Sequence, residues 1–203
     1  MKKSFCKIRF SQVITDEVYK ILETEGGLER REVVLEAGNR NVGPRSFVFV
    51  SPGFQEKERL QVAAKRLSHL DRQVLFQVLI HGSGVVRAGQ WTRKLIMNED
   101  LDHGSVLPFL RFDLHTLHVL VQCTSSPREA KEKDWGVCVM NPNLNDIAGE
   151  SIEGSEEPEE HGKTVWRTII TPAKASKVVV VAHSYGGVVA MHLASTFGEE
   201  WVS

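Results

Sequence analysis

The stretch that decides the fold runs Val178-Val-Val-Val-Ala-His-Ser-Tyr-Gly-Gly187. Its apolar start is rich in β-branched residues, which is typical of a strand buried on both faces of a parallel sheet. The residues from Val188 to Ala194 then place apolar side chains at helical spacing. Ser184 stands between these two segments, in the context Ala182-x-Ser184-x-Gly186. The pattern therefore predicts a strand, a tight turn at the serine and a helix.

A serine between a buried strand and a helix, with small residues on both sides, is typical of the nucleophile elbow of α/β-hydrolases. Alanine replaces the first glycine of the usual G-x-S-x-G pattern here. Ser184 is therefore the candidate nucleophile. Four residues are expected to support the turn: Ala182, His183, Gly186 and Gly187. The fold class predicted is α/β, an α/β-hydrolase-like fold with a mostly parallel sheet flanked by helices.

A second buried strand, Val74–Ile80, leads into His81-Gly-Ser-Gly84. In an α/β-hydrolase a His-Gly turn after an early strand supplies backbone N–H groups to the oxyanion hole. The oxyanion-type loop is expected to comprise His81, Gly82, Ser83, Gly84 and Tyr185. Two alternatives remain for this segment: a phosphate-cradling loop, although the Gly-Lys-Ser/Thr of a P-loop is missing, and a turn whose glycines serve shape alone.

The remaining elements follow from periodicity and turn residues. Helices are expected at Gln12–Leu22, Thr92–Met97 and Thr164–Ile170, and strands at Leu28–Leu35, Ser46–Val50 and Gly136–Met140. The polar segment Ser51–Asp71 is expected to be a loop or a poorly anchored helix.

Composition indicates an ordinary globular protein. The chain has 203 residues, of which 41% are hydrophobic and 25% charged, with a net charge of −1. A charge so close to zero gives no reason to expect direct nucleic-acid binding. The three cysteines are scattered, and His115 and His118 have no partner at ligand spacing, so neither a metal nor a cofactor is expected. No apolar run is long enough to span a membrane.

Four motifs together resemble one family, the Argonaute-binding-protein-two domain family: Leu79–Trp91, Leu95–Asp102, Met140–Asn143 and Val181–Gly187. The resemblance implies an α/β-hydrolase-like fold, with the family's nucleophile at Ser184. It also implies cotranscriptional regulation in the nucleus, with the cytoplasm as a second compartment. The implied partners are Argonaute and chromatin or splicing factors, acting in gene silencing and alternative splicing.

The sequence departs from that family pattern in two places. Residues 111–130 look like an insertion, and the chain stops at Ser203, soon after the expected elbow. The chain is therefore expected to be a single, incomplete domain, 1–203, without the C-terminal half of the fold. Residues 143–163 carry many glutamates, for which like-charge repulsion predicts an acidic, flexible loop.

The position of Ser184 bears on catalysis. In α/β-hydrolases the triad acid and histidine follow the nucleophile in the chain, on later loops. His192, on the helix after the turn, is expected to be a packed core residue, and His81 is expected to hold loops in place. Because a serine without a base is a poor nucleophile, the chain is expected to be a non-catalytic interaction module. The alternative is a serine hydrolase that acts on an ester or thioester through Ser184.

The same ending leaves the strand Val178–Val181 at the edge of the expected sheet. It has four β-branched residues, no charge and no proline, all of which favour pairing with another strand. The sequence thus predicts self-association through this edge.

Overall fold

The computed structural model describes residues 2–35, 43–52, 75–111, 136–173 and 177–198. Its centre is a five-stranded sheet in the order β1-β2-β4-β3-β7. The strands are β1 (Glu29–Glu32), β2 (Phe47–Val50), β3 (Leu75–Ile80), β4 (Gly136–Val139) and β7 (Lys177–Ala182). Two short strands, β5 (Asp146–Ile147) and β6 (Glu150–Ser151), form a separate antiparallel pair.

The sheet is mixed. Strand β3 runs parallel to both β4 and β7, whereas β2 is antiparallel to β4 and to β1. The prediction of a mostly parallel sheet therefore holds for its β4-β3-β7 part and not for the β1-β2 side. The register pairs Ile80 with Ala182. Because parallel strands end at the same edge of a sheet, the segments after these two residues leave the sheet side by side.

Helices cover both faces of the sheet. The helices are α1 (Lys2–Thr24), α2 (Arg93–Asn98), α3 (Leu101–Gly104), α4 (Leu107–Arg111), α5 (Pro158–Val165) and α6 (Gly186–Phe197), and a π-helical turn (Trp166–Ile170) continues α5. Alternate residues of β3 belong to different cores: Ile80 packs with Trp166 and Val189, and Leu79 packs with Leu22 and Val139. This alternation follows from the two-residue period of a strand.

The long helix α1 confirms the prediction for Gln12–Leu22. Its side chains Val18 and Leu22 are fully buried against the sheet. The helix ends at a glycine pair: the N–H of Gly26 donates to the carbonyl of Ile21, and Gly27 has a φ of 60°. A residue in this left-handed conformation ends many helices, and glycine adopts it without steric cost.

Residues 143–163 differ from the acidic, flexible loop expected there. They contain β5, β6 and most of α5, a helix with four buried residues, among them His161 and Val165. Pro158 stands in the first turn with Glu159 and Glu160, where proline and negative charge suit the unpaired N–H groups. The loop prediction is wrong for α5. It rested on the glutamate content of the whole segment, whereas the helix has a buried face as well as a charged one.

Two other expectations have different outcomes. His192 is exposed rather than packed in the core, because the buried stripe of α6 is made by Val189, Leu193 and Phe197. The insertion predicted at 111–130 lies outside the described residues except for Arg111. Among the described helices, none is both long and apolar enough to cross a membrane.

Strand β7 is the outer strand of the sheet on the side away from β1, as far as the described strands go. Val178 is 36% exposed, and Val179, Val180 and Val181 are partly exposed. The edge predicted for Val178–Val181 is therefore present in this part of the chain.

Candidate functional site at the Ser184 turn

The turn between β7 and α6 holds Ser184 in a strained conformation. The N–H of His183 donates to the carbonyl of Ile80 at 3.0 Å, which extends the β3–β7 pairing past the strand end. Ser184 then has a φ of 56°, and Gly186 N–H donates back to the His183 carbonyl at 3.0 Å. A left-handed serine costs roughly 1 kcal/mol or more, so the surrounding contacts must impose it. The turn geometry predicted for Ser184 is thus observed, whereas its role as a nucleophile remains a prediction.

Two glycines allow the chain segments to meet here. A Cβ on Gly186 would lie 2.4 Å from the carbonyl oxygen of Ile80 and 2.8 Å from that of His81. A Cβ on Gly82 would lie 3.0 Å from the Cβ of Ser184. Gly187, by contrast, has open space on that side. The structure therefore brings Gly82 directly against Ser184.

Asn143 holds the loop after β3 in place. Its side-chain Nδ2 donates to the carbonyl of Gly82 at 2.8 Å and to the carbonyl of Val86 at 3.1 Å. These two acceptors lie at the two ends of the exposed segment Ser83–Val85. One amide thus fixes both ends of the glycine loop. Sequence reasoning had Asn143 only as part of a family motif and gave it no role.

His81 lies beneath the loop and is buried. Its Nδ1 is 2.8 Å from the Gly82 carbonyl, which can only accept, so Nδ1 carries the proton and Nε2 carries a lone pair. Burial lowers the pKa of His81 to about 4. Nε2 is also buried and finds no hydrogen-bond partner among the described residues. The imidazole is therefore neutral and hydrogen-bonded to the carbonyl of the next residue, whereas the expectation that His81 holds loops in place stays a prediction.

A second buried histidine, His161, ties α5 to the end of β4. Its Nε2 accepts from the backbone N–H of Asn141 at 3.1 Å, so its Nδ1 carries the proton. Nδ1 lies 3.0 Å from the hydroxyl of Ser155 and 3.3 Å from that of Ser46. Burial lowers the pKa of His161 to about 3. Sequence reasoning missed this residue, although Pro158 and the acidic first turn of α5 could have indicated the helix that carries it.

The other predicted site residues lie at the surface of the turn. The Tyr185 hydroxyl donates to Glu159 Oε1 at 2.5 Å, and this hydrogen bond raises the pKa of Tyr185. His183 is exposed, with its ring centroid 5.9 Å from that of Trp91. The side chain of Tyr185 thus connects the turn to α5. This hydrogen bond points to α5 and not to the glycine loop. Ala182 ends β7 and is exposed.

The turn resembles a nucleophile elbow in shape, but the described residues place no base beside the Ser184 hydroxyl. The Ser184 hydroxyl forms no hydrogen bond with an imidazole or carboxylate of the residues that the structure describes. Activation of a serine requires such a base within reach. No group of three or more His, Cys, Asp or Glu side chains in the described ranges could hold a metal ion.

The fold and the turn define a class: a mixed α/β domain with a strand–serine–helix elbow backed by a glycine loop. The chain belongs to the Arb2 domain family, whose profile matches residues 6–203. This is the family expected from the sequence. No solved structure matches the chain.

Named relatives are similar over most of the chain. A FAM172 family protein homolog from Caenorhabditis elegans is 37% identical over 182 residues, which are 90% of this chain and 48% of the relative. The human cotranscriptional regulator ARB2A is 32% identical over 234 residues, which again cover 90% of this chain and 48% of the relative. The mouse protein of that name is 30% identical over 235 residues, again with those shares. The chain thus spans about half the length of these relatives.

Gly186 and Gly187 form a matched pair for testing the turn. Gly186→Ala places a methyl group against backbone carbonyls, which cannot move aside, and is expected to lower the free energy of unfolding by ~2 kcal/mol or more. Gly187→Ala meets open space and is expected to be neutral or to stabilise α6 by up to about 1 kcal/mol. Urea denaturation of both variants measures the difference. Equal stabilities would contradict the close contact between the turn and β3.

The two buried histidines predict a pH dependence. Their folded pKa values lie below the ordinary value near 6.5, so the unfolded chain binds more protons between about pH 4 and 6.5. The free energy of unfolding should therefore decrease as the pH falls through this window, by up to about 1.4 kcal/mol per pH unit for each histidine.

His161→Gln should remove part of that slope. Urea denaturation of the parent and the variant at several pH values gives the comparison, in which the stability gap between them narrows toward low pH. The exposed His192→Gln serves as the matched control for loss of a histidine. Parallel stability curves for the parent and His161→Gln would refute the assignment of this residue as a buried neutral imidazole.

Proposed function

We propose that this chain is a non-catalytic regulatory module that acts during transcription. The observation that carries the proposal is the 30–32% identity, over 90% of the chain, to mouse and human proteins named cotranscriptional regulators. The neutral, buried His81 supports it, because this imidazole is used to fix the glycine loop. A nuclear location, and association with Argonaute and with chromatin or splicing factors in silencing and splicing, are parts of the same proposal.

The fold proposed for the domain is α/β-hydrolase-like. Three features support it: the parallel pair β3 and β7, the left-handed Ser184 between β7 and α6, and the contact of Gly82 with that serine. These are the parts that build an elbow and an oxyanion turn in that fold. We propose that residues 1–203 form one domain of this kind and that the elbow is retained as a structural element. A serine hydrolase acting on an ester or thioester is the second candidate, and the strained Ser184 favours it.

Tethering the chain to a reporter transcript distinguishes the regulatory module from the serine hydrolase. The full chain, fused to an RNA-binding tag, is recruited to a reporter transcript that contains the matching hairpin and an alternative exon. The parent chain is expected to change reporter level or exon inclusion, and Ser184→Ala is expected to do so equally, because its backbone contacts remain. Gly186→Ala should lose the effect together with the fold. In parallel, a fluorophosphonate probe should not label the parent chain.

Labelling that Ser184→Ala abolishes would favour the hydrolase. A loss of the reporter effect in a stably folded Ser184→Ala variant would also refute the non-catalytic proposal. A reporter that the tethered parent leaves unchanged would refute the cotranscriptional role itself. Purification of the tagged chain from nuclear extract, probed for Argonaute, tests that partner directly.

The outer edge of β7 is proposed as a self-association surface. Its backbone is unpaired on one side among the described strands, and its partly exposed valines carry no charge that would oppose a second strand. Antiparallel pairing of two β7 strands would provide hydrogen-bond partners for the unpaired backbone groups of both strands.

Val179→Lys is expected to shift the chain toward the monomer in size-exclusion chromatography with light scattering. A lysine at an edge position opposes strand addition through its charge. Val188→Lys makes the same change on the exposed face of α6, where Val188 is 40% exposed, and should leave the oligomeric state as it is. A parent chain that is monomeric at high concentration would refute the proposal.

A further inference from the structure

Two arginines are hydrogen-bonded to the segment that follows the glycines of the loop. Arg87 Nη1 donates to the Val86 carbonyl at 3.2 Å, and Arg93 Nη2 donates to the Val85 carbonyl. Val85 and Val86 are consecutive, and consecutive Cα atoms are about 3.8 Å apart. Each guanidinium group is therefore anchored on a carbonyl of the same short segment.

Within the part of the chain that the structure describes, these two positive charges have no ionic partner, since neither guanidinium forms an ion pair with a carboxylate there. Burial and then the charge of Arg87 lower the pKa of Arg93. Arg93 Nε is also buried without a hydrogen-bond partner among the described residues. Like charges brought together in this way oppose folding, and an anion would relieve the repulsion.

The surroundings of the pair are open on the loop side. Ser83, Gly84 and Val85 are exposed, and Val85 is 66% exposed. Both arginines are only partly buried, and of its five N–H groups each guanidinium donates one to a carbonyl of the described residues. The remaining N–H groups form the fork that matches the two oxygens of a carboxylate or the oxygens of a phosphate.

We infer that Arg87 and Arg93, together with the exposed Ser83, form a binding site for an oxyanion, a carboxylate or a phosphate group, beside the Ser184 turn. The site goes beyond the regulatory role and stands or falls independently of it. It has no need of a catalytic serine, because binding rests on charge and hydrogen bonds alone. A lysine in place of either arginine would keep the charge and lose the two-point geometry.

The test titrates inorganic phosphate and, separately, acetate into the ¹⁵N-labelled full chain at constant ionic strength, with chloride as the reference anion. Saturable shifts are expected for the Nε–H signals of Arg87 and Arg93 and for the amide signals of Ser83 and Gly84. The anion that binds more tightly identifies the phosphate or the carboxylate as the natural group. Affinity should fall as salt is added, since the site is partly exposed.

Variants decide whether the arginines are responsible. Arg87→Gln and Arg93→Gln should each weaken binding roughly tenfold or more, as expected for loss of a hydrogen bond to a charged group. Arg45→Gln is the matched control, because Arg45 is already paired with Glu32 at 2.9 Å, and it should bind like the parent. Arg93 also helps to hold the loop, so Arg93→Lys and a thermal melt of each variant separate a loss of charge from a loss of fold.

The Lys variants should bind more weakly than the parent and more tightly than the Gln variants. Shifts that rise linearly with anion concentration would overturn the inference. It would equally be overturned if the folded Arg87→Gln/Arg93→Gln double variant bound phosphate and acetate as the parent does.

Discussion

The contact on which this structure depends is the approach of one backbone to another at the carboxyl ends of β3 and β7. Gly186 lies so close to the carbonyls of Ile80 and His81 that no side chain fits between them. This approach requires the in-register parallel pairing of the two strands, and it turns Ser184 toward Gly82. The same contact sets where α6 begins, and therefore which of its residues face the core.

A polar interior supports that contact from below. Asn143 donates to carbonyls at the two ends of the glycine loop, and the imidazole of His81 donates to the carbonyl of Gly82 in that loop. His161 joins the end of β4 to α5. Burying neutral imidazoles costs free energy, because their charged forms are excluded and their polar atoms need partners. In return, hydrogen bonds have strict geometry, so such a network permits one arrangement of the loops where apolar contacts would permit several.

The sequence predicted those parts of the fold that depend on neighbouring residues. Apolar runs identified β3 and β7, helical periodicity identified α1, and small residues around Ser184 identified the turn, because each signal is local. Contacts between distant residues left no such signal. The amide of Asn143 and the carbonyl of Val86 are 57 positions apart in the chain, and nothing near either residue indicates the other.

Two errors show where local signals mislead. The glutamates of residues 143–163 outweighed the helical spacing of His161 and Val165, although charged residues on the outer face of a helix are compatible with a buried inner face. His192 was expected inside because α6 is apolar nearly all round. In such a helix, packing against α5 and β3 decides which side is buried, and that choice follows from Gly186 rather than from hydropathy.

The role of Gly186 also means that the backbone geometry of the turn and a catalytic role of Ser184 are separate questions. Backbone packing accounts for the glycine, because a Cβ there would collide with the carbonyls of Ile80 and His81, and the left-handed turn leads the chain from β7 into α6. The glycine and the turn alone therefore do not require catalysis. What packing does not explain is the hydroxyl of Ser184, which lies against Gly82 in a conformation that glycine would adopt at lower cost. A hydrolase reaction through this turn would need that one side chain, whereas the scaffold around it would be needed equally for a surface that only binds.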